Sequence, residues 1–258
     1  MKEAVKPNLV QTIENTPAII HGGPFANIAH GCPSVAGIKT AQKLADYVVL
    51  EPGFGADLGM EKFCDIASRY GGFKPSVAVI VATIKALKRH GGSKYKDLGE
   101  PNVEAVKKGL PMLGKMVENA KHFGLHPVIC MNHFPKDSQH EIDAVLSWAK
   151  EMGVPAAFTD TVIKGGIGGI ELANLVLNEL EKPNEFHHLY PSEMPIEEKI
   201  RIIAQKIYGA ADIRLTEDAR KALKKIEKLG FGNLPICMPK TPLSLTADED
   251  LPGITPKE

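Results

Sequence analysis

The sequence has no surplus of charge of either sign. Its 31 lysines and arginines are balanced by 31 aspartates and glutamates, so the formal net charge at pH 7 is zero. Proteins that bind nucleic acids or an anionic membrane surface through charge carry a basic patch or excess. Neither class of partner is predicted here. With 43% hydrophobic and 24% charged residues, the composition is that of an ordinary globular protein.

Cysteine pairs and long apolar runs are also absent from the sequence. The four cysteines are scattered and form no Cys-x-x-Cys pair. Three of them lie in or beside apolar runs, which favours buried thiols in a reducing compartment over disulfides or a zinc site. The first seven residues lack the apolar core of a signal peptide, and no apolar stretch approaches the length of a membrane span. We therefore expect a cytoplasmic protein with no membrane partner and no metal ligands of its own.

Strand-like and helix-like segments alternate along most of the 258 residues, a length that suffices for one large domain. Strand patterns occur at 18–21, 47–50, 77–82, 127–131 and 156–159. A helical pattern follows each of them. This alternation predicts an α/β fold, with a mostly parallel sheet and helices on both faces. The segment 77–82 is so continuously apolar that we expect it in the centre of the sheet. Ser138 and Glu141 have the spacing of a capping box and predict the start of a helix.

The sequence changes in character after residue 182. Pro195 opens an apolar-periodic helix, Thr216 caps another, and residues 234–238 have the pattern of a short final strand. We interpret 1–182 as the α/β sheet domain and 183–258 as an attached helical segment that ends in a loose tail.

Polar and aromatic side chains gather in the loops that follow the predicted strands. Ligands of open α/β sheets bind outside the carboxyl ends of the strands, so this pattern predicts a small-molecule site. Each loop alone is also typical of a structural glycine turn. A phenylalanine directly after a strand is typical of a lid over the core, whereas two that face one crevice suit a flat heterocycle. The candidate residues are His21, Asn27, His30, Phe54, Asp57, Phe134, Lys164, Gly165 and Gly166.

Three long motifs resemble the formate–tetrahydrofolate ligase (formyltetrahydrofolate synthetase) family. They are HGGPFANIAHG at 21–31, GFGADLGMEKF at 53–63 and GFGNLPICM at 230–238. The resemblance extends in order through nearly the whole chain. It implies an enzyme that couples ATP, formate and tetrahydrofolate through formyl phosphate to 10-formyltetrahydrofolate, with magnesium and, in many members, a monovalent cation. The fold that it implies is half of a P-loop-NTPase-like sheet.

The resemblance also implies roles for single residues. Phe134 matches an aromatic residue that stacks on the pterin of folate, and Phe54 matches one that lines the nucleotide or folate crevice. Val162 stands where bacterial members carry a tryptophan that helps to sandwich the folate. The crevice continues at Phe158 and Thr159, and the turn of Lys164, Gly165 and Gly166 follows. The motifs near the active site contain the candidate catalytic residues His21, Asn27, His30 and Asp57.

Two departures from the family leave the function open. No stretch of this sequence matches the family's glycine-rich P-loop, and Val162 removes a stacking partner of the kind that contributes about 0.5–1.5 kcal/mol beyond burial. One hypothesis is a part of the ligase that acts with a P-loop-bearing partner chain, or in a homo-oligomer. The alternatives are a catalytically silent relative that serves as a folate- or nucleotide-binding or assembly module, and a fragment without an independent role. The sequence does not decide whether the chain alone is an enzyme.

Overall fold

The computed structural model describes residues 3, 6–22, 30–32, 34–240 and 245 of the chain. Two groups of residues have most of their contacts within themselves and form separate units. The first unit takes its described residues from Met1–Phe73, His188–Ile207 and Ala211–Pro242, and the second from Lys74–His187, Tyr208–Ala210 and Leu243–Glu258. The predicted division at residue 182, into a sheet domain and an attached helical segment, stays a prediction.

The second unit is built on a parallel sheet of three strands in the order β3-β4-β5. The strands are β3 (Val77–Ala82), β4 (His126–Asn132) and β5 (Ala156–Thr159). In register, Val77 lies opposite His126, and Ile129 lies opposite Ala156. The helices are α4 (Ile84–His90), α5 (Val103–Lys121), α6 (Gln139–Glu151), α7 (Thr161–Lys164) and α8 (Ile170–Leu180). The predicted α/β class with a parallel sheet is confirmed.

The helices of this unit lie on both faces of the sheet. The chain passes from β3 to β4 through α4 and α5, and from β4 to β5 through α6. Both crossovers run in the same direction, so the right-handed rule puts α5 and α6 on one face. Helix α8 follows β5, contacts all three strands and lies on the other face. Because helices lie on both sides of it, the five inner residues of β4 are buried and form the core.

Local capping signals set the ends of these helices. The capping box predicted at Ser138 is present, since the Glu141 carboxylate accepts a hydrogen bond from the Ser138 N–H at 3.0 Å and Ser138 Oγ accepts one from the Glu141 N–H. Asn102 Oδ1 accepts from the N–H of Ala105 at the start of α5. Gly124, with φ of 71°, takes the left-handed conformation that ends this helical segment. No helix in the described ranges is both long and apolar enough to cross a membrane.

A buried ion pair ties three segments of the second unit together. Lys88 Nζ lies 3.0 Å from Glu141 Oε1, and both side chains are almost fully buried. Lys88 also donates to the carbonyl of Glu100 at 2.9 Å. The Glu141 carboxylate accepts from the N–H groups of Asn102 and Ser138. Desolvation by burial works to raise the pKa of Glu141, but the hydrogen bonds that it receives outweigh this effect and lower its pKa to about 2.

The first unit is mainly helical. Its helices are α1 (Val35–Leu44), α2 (Met60–Lys62), α3 (Ser68–Gly71), α9 (Ile196–Lys206) and α10 (Glu217–Lys228). Two π-helical turns, Gly55–Gly59 and Phe63–Ala67, join α2 and α3 into one continuous helical stretch. Residues 57–68 of this stretch are all buried and form the core of the unit.

The first predicted strand belongs to a hairpin and not to the parallel sheet. Strand β2 (Pro17–Ile20) pairs antiparallel with β1 (Asn8–Gln11), a strand that the sequence pattern did not indicate. Only residues 12–16 separate the two strands, and Asn15 has a positive φ of 63° within this turn. Such a short connection excludes parallel pairing, because parallel strands need a crossover of a dozen or more residues.

Two other predicted strands are absent from the structure. Residues 47–50 are irregular, with Tyr47 and Val49 exposed by 64% and 91%. The segment 234–238 is also irregular, and the N–H of Ile236 donates to the hydroxyl of Tyr190 at 3.0 Å. Both segments have the apolar and β-branched composition of strands, but a strand forms only where a neighbour pairs with it. These two predictions are wrong.

The prediction of a central position for residues 77–82 is also wrong within the described part of the chain. Strand β4 is central, and β3 has a paired neighbour on one side only. Ile80 and Ala82 are buried, whereas Val79 and Val81 are 40% and 62% exposed. The strand is apolar on both faces although Val79 and Val81 are exposed, so its composition alone did not determine its place in the sheet.

We expect Glu141→Gln to destabilise the second unit by about 3 kcal/mol or more, because the substitution leaves the buried Lys88 ammonium without its counter-charge. Urea unfolding followed by the fluorescence of Trp148, the only tryptophan of the chain, measures this loss in the unit concerned. Glu104→Gln is the matched control, since Glu104 forms an exposed pair with Lys107, and we expect it to change stability by less than about 0.5 kcal/mol.

The same pair predicts a pH dependence. The folded pKa of Glu141 is lowered from an ordinary value near 4.5 to about 2, so its contribution is complete above pH 4.5 and is lost as the pH falls towards 2. The Glu141→Gln variant should lack this part of the acid destabilisation. An unchanged acid profile in this variant would contradict the assignment.

Candidate functional site

The three parallel strands end at one edge of the sheet, and polar loops follow them there. Thr83 follows β3, residues 133–135 follow β4, and Asp160 follows β5. Because ligands of open α/β sheets bind outside the carboxyl ends of the strands, this edge of the second unit is the candidate site. The loops at 21–31 and 51–57 follow no strand of this sheet. The prediction that all five loops share one sheet edge is therefore wrong.

Asp160 is the centre of a cluster of charged side chains at this edge. Its Oδ1 lies 3.0 Å from His133 Nδ1, and its Oδ2 lies 3.1 Å from Lys164 Nζ. The hydrogen bond from His133, followed by that from Lys164, lowers the pKa of Asp160 against an opposing effect of desolvation. An ionised carboxylate can only accept hydrogen bonds. The ring nitrogen that faces it, Nδ1 of His133, therefore carries a proton.

The glycine-rich turn at 165–169 packs directly on the backbone of Asp160. The N–H of Asp160 donates to the carbonyl of Gly168 at 3.1 Å. A Cβ atom on Gly168 would lie 2.5 Å from the carbonyl carbon and oxygen of Asp160, so only glycine fits this position. Gly165 has φ of 62°, in the region that favours glycine. The turn therefore fixes the position of the Asp160 backbone, and it does so because glycines occupy it.

Aromatic rings stand beside this cluster. The ring of Phe158 lies 5.1 Å from the ring of His133, with the two planes tilted by 38°. Phe134 is half-buried, and its N–H donates to Asp137 Oδ2 at 2.9 Å, which fixes the backbone directly after β4. Thr159 is buried within the sheet and donates to the carbonyl of Met131, so its hydroxyl serves the strand pairing.

Apolar side chains border the same edge on the solvent side. Val162 and Ile163 on α7 are 56% and 58% exposed, and Ile167 in the glycine-rich turn is 76% exposed. The side chain of Lys164 is also largely exposed, and its ammonium contacts Asp160. A flat ligand at this edge would therefore meet both exposed apolar surface and a cation.

Asp57, predicted as a catalytic residue, is buried in the first unit. Its Oδ2 lies 3.0 Å from Lys240 Nζ. Glu61 and Asp65 follow it at intervals of four residues and are fully buried, so three carboxyl groups share one face of this helical stretch. Desolvation, then the Asp65 carboxylate, raises the pKa of Glu61 well above its usual range. Sequence reasoning did not single out Glu61.

His21 and His30, also predicted as catalytic residues, have different surroundings in the first unit. His21 Nδ1 lies 2.6 Å from Ser34 Oγ, which caps α1 by accepting from the N–H of Gly37. The Ser34 hydroxyl proton is therefore available to donate to His21. His30 is exposed and lines a cavity of about 500 Å³ together with the thiols of Cys32 and Cys237. Phe54 is 64% exposed, and Asn27 lies outside the described residues.

The structure thus brings together one part of the predicted site. Phe158, Thr159 and Lys164 join residues that the prediction did not name, His133 and Asp160, at the edge of the second unit. Both residues follow neighbouring parallel strands directly, and this position was the signal that could have identified them. A histidine and an aspartate 27 residues apart do not resemble a pair until the strand order is known.

Within the described ranges, no group of three or more His, Cys, Asp or Glu side chains is placed to hold a metal ion. The Asp160 carboxylate already holds two partners, His133 and Lys164. The described residues therefore contain no cluster that would hold a magnesium ion by protein ligands alone.

Comparison with known proteins identifies the family. The sequence profile of formate–tetrahydrofolate ligase matches residues 1–257. The chain belongs to the formate–tetrahydrofolate ligase family. It is 52% identical over 253 residues to the formate–tetrahydrofolate ligase of Staphylococcus carnosus (strain TM300) and 51% identical to that of Staphylococcus aureus (strain NCTC 8325 / PS 47). Each alignment covers 98% of this chain and 46% of the relative, so the chain spans about half the length of these curated relatives.

We expect Asp160→Asn to release both Lys164 and the imidazole of His133, because a neutral amide holds a cation and an imidazole N–H less strongly than a carboxylate does. Nitrogen-15 NMR of the imidazole should show that the proton of His133 leaves Nδ1 for Nε2 in a large part of the molecules. Asp143→Asn is the control, since Asp143 is bonded only locally, to Gln139, on the exposed side of α6. An unchanged His133 tautomer in Asp160→Asn would show that Asp160 does not orient the ring.

Proposed function

We propose that this chain is the tetrahydrofolate-binding part of a formate–tetrahydrofolate ligase and that it acts with a polypeptide that carries a P-loop. The observation that carries the proposal is the sheet edge of the second unit, where aromatic side chains and the Asp160 cluster follow neighbouring strands. The family match supports the reaction class. The span of 46% of the relatives supports the need for further polypeptide.

In this proposal Phe134 stacks on the pterin ring. Phe134 is half-buried and therefore not enclosed in the core. His133 directly precedes Phe134, and its ring lies against that of Phe158. Gly165 and Gly166 have no side chains, which allows a ligand to approach the backbone of the turn. Asp160 acts as a positioning residue, because it holds Lys164 and His133 in place.

The proposed reaction has two steps. A carboxylate oxygen of formate attacks the γ-phosphorus of ATP, which forms formyl phosphate and releases ADP. The N10 amine of tetrahydrofolate then attacks the formyl carbon, the bond between that carbon and the phosphate oxygen breaks, and the amine proton passes to a base. We assign the binding of ATP phosphates to the partner polypeptide, and the binding of the pterin to this chain.

The residues predicted from motifs in the first unit stay proposals for the active site. Asp57 and His21 have fixed partners, Lys240 and Ser34, and so are held in position. His30 lines a cavity, and Phe54 presents an exposed ring. Nothing in these contacts gives a chemical step to any of the four.

A second candidate function rests on Val162. A valine at the position of the family's second stacking residue leaves the pterin with an aromatic ring on one face only. This favours a catalytically silent relative that binds folate weakly or serves in assembly. The two candidates differ in whether tetrahydrofolate binds at the Phe134 edge with useful affinity.

Calorimetric titration with tetrahydrofolate tests the proposal. We expect Val162→Trp to tighten binding by about 0.5–1.5 kcal/mol, or about two- to twelvefold in Kd, because the indole adds the missing stacking partner. Phe134→Ala should weaken binding in the parent chain. In the double variant, Phe134→Ala should abolish the gain, since the two rings act on opposite faces of one ligand.

Ile163→Trp is the matched control for this titration. Ile163 is the next residue along α7 and is as exposed as Val162, so a general effect of an added indole would appear in both variants. Equal affinity in the parent chain and in Val162→Trp, with Phe134→Ala lowering only the melting temperature, would contradict a pterin site at this edge.

A further inference from the structure

Within the described residues, each outer strand of the parallel sheet, β3 and β5, has a paired neighbour on one side only, and the open edge of β3 is the one with exposed apolar side chains beside it. The N–H of His126 donates to the carbonyl of Ser76, and Val77 lies opposite His126. In a parallel ladder the backbone groups of alternate residues point to the same side. The N–H and carbonyl groups of Ala78, Ile80 and Ala82 therefore face β4, and those of Val77, Val79 and Val81 face away from it.

One face of β3 is uncovered as well. Side chains of a strand alternate between the two faces, so Val79 and Val81 share one face and Ile80 and Ala82 share the other. Ile80 and Ala82 are buried, whereas Val79 and Val81 are 40% and 62% exposed. Parallel sheets are covered on both faces in almost all proteins, and β4 follows this rule. Two exposed valine side chains and a strand edge without a paired neighbour in the described residues therefore lie at the same place.

We propose that this surface, the open edge of β3 with the face formed by Val79 and Val81, binds a parallel β-strand and an attached amphipathic helix from the part of the ligase polypeptide that lies outside this chain. The inference rests on the proposed function, because it assigns the docking surface of the partner that the function requires. The added strand continues the hydrogen-bonded ladder, and the apolar side of the helix covers the two valines.

The size of the relatives favours this occupant over a second copy of the chain. This chain matches 46% of the length of each of the two Staphylococcus relatives, so more than half of each relative lies outside the matched segment. A second copy related by a twofold axis would pair its own β3 antiparallel and would add no helix over Val79 and Val81. It satisfies the strand edge but leaves the valines exposed.

A parallel orientation has a consequence for the site. A strand parallel to β3 ends at the same edge of the sheet as β3, β4 and β5. The loop that follows this strand then lies beside Thr83 and the residues after β4 and β5. The partner therefore adds its own loop to the edge that holds His133 and Asp160.

The test is co-expression of this chain with the portion of the Staphylococcus carnosus relative that lies outside the matched segment, followed by purification through a tag on one chain. Amide hydrogen exchange is then measured residue by residue on β3. In the isolated chain we expect fast exchange at Val79 and Val81 and slow exchange at Ile80 and Ala82. In the complex, exchange at Val79 and Val81 should slow by about a hundredfold or more.

Two substitutions separate strand pairing from general damage. Val81→Pro removes an N–H that makes no ladder bond in the isolated chain, so we expect the chain to fold and the complex to be lost. Ile80→Pro removes an N–H that faces β4 and should unfold the second unit. Val81→Lys, a second variant that keeps the backbone N–H, should weaken co-purification about tenfold or more by placing a charge under the helix. Val49→Lys, at an exposed valine of the first unit, is the control.

Co-purification of Val81→Pro and Val81→Lys at the level of the parent chain, with unchanged exchange at Val79 and Val81, would overturn the proposal. Protection of these amides in a homodimer without the relative's portion would assign the surface to a second copy and would also overturn it. The outcome is separate from that of the proposed function. A complex in which the amides of β3 are protected but which has no ligase activity would support the docking surface and contradict the proposed function. Ligase activity in a complex whose β3 amides are unprotected would support the function and contradict the docking surface.

Discussion

Everything that gives this chain a candidate site depends on the parallel pairing of β3, β4 and β5. Parallel strands end at the same edge of a sheet, so side chains that are 27 residues apart in sequence, such as His133 and Asp160, meet without any local signal. The pairing is held by the buried strand β4 and by helices on both faces. The Lys88–Glu141 pair joins α4 and α6, which belong to the two crossovers between these strands.

At the site edge, one carboxylate organises the chemistry. Asp160 holds an imidazole on one oxygen and an ammonium on the other, and its backbone is fixed by a glycine that no larger residue can replace. The residues around it are aromatic or apolar and partly exposed. In the proposed function, the polar centre is fixed beside this surface and the pterin of tetrahydrofolate binds there. Such a role is also consistent with a chain that spans about half of its relatives' length.

The sequence predicted those features that local signals determine. The capping box at Ser138 and the three strands of the parallel sheet were predicted correctly, since each depends on neighbouring residues. Residues 47–50 and 234–238 have strand composition but no partner strand, and pairing is a non-local property that composition does not reveal. Strand β2 was predicted, but its hairpin partner was not. The first loop was misplaced because β2 belongs to this hairpin, and the second because residues 47–50 form no strand. The Asp160 cluster required the strand order to become visible.

The central claim is that this chain contributes the tetrahydrofolate side of a ligase and needs further polypeptide for the phosphate side. The most direct measurement is ADP release that depends on both formate and tetrahydrofolate, made on the purified chain alone and on the chain with the complementary portion of the Staphylococcus carnosus relative. The account predicts no such release from the chain alone and turnover from the pair. Turnover by the isolated chain at a rate typical of enzymes, about 1 per second or more, would contradict it.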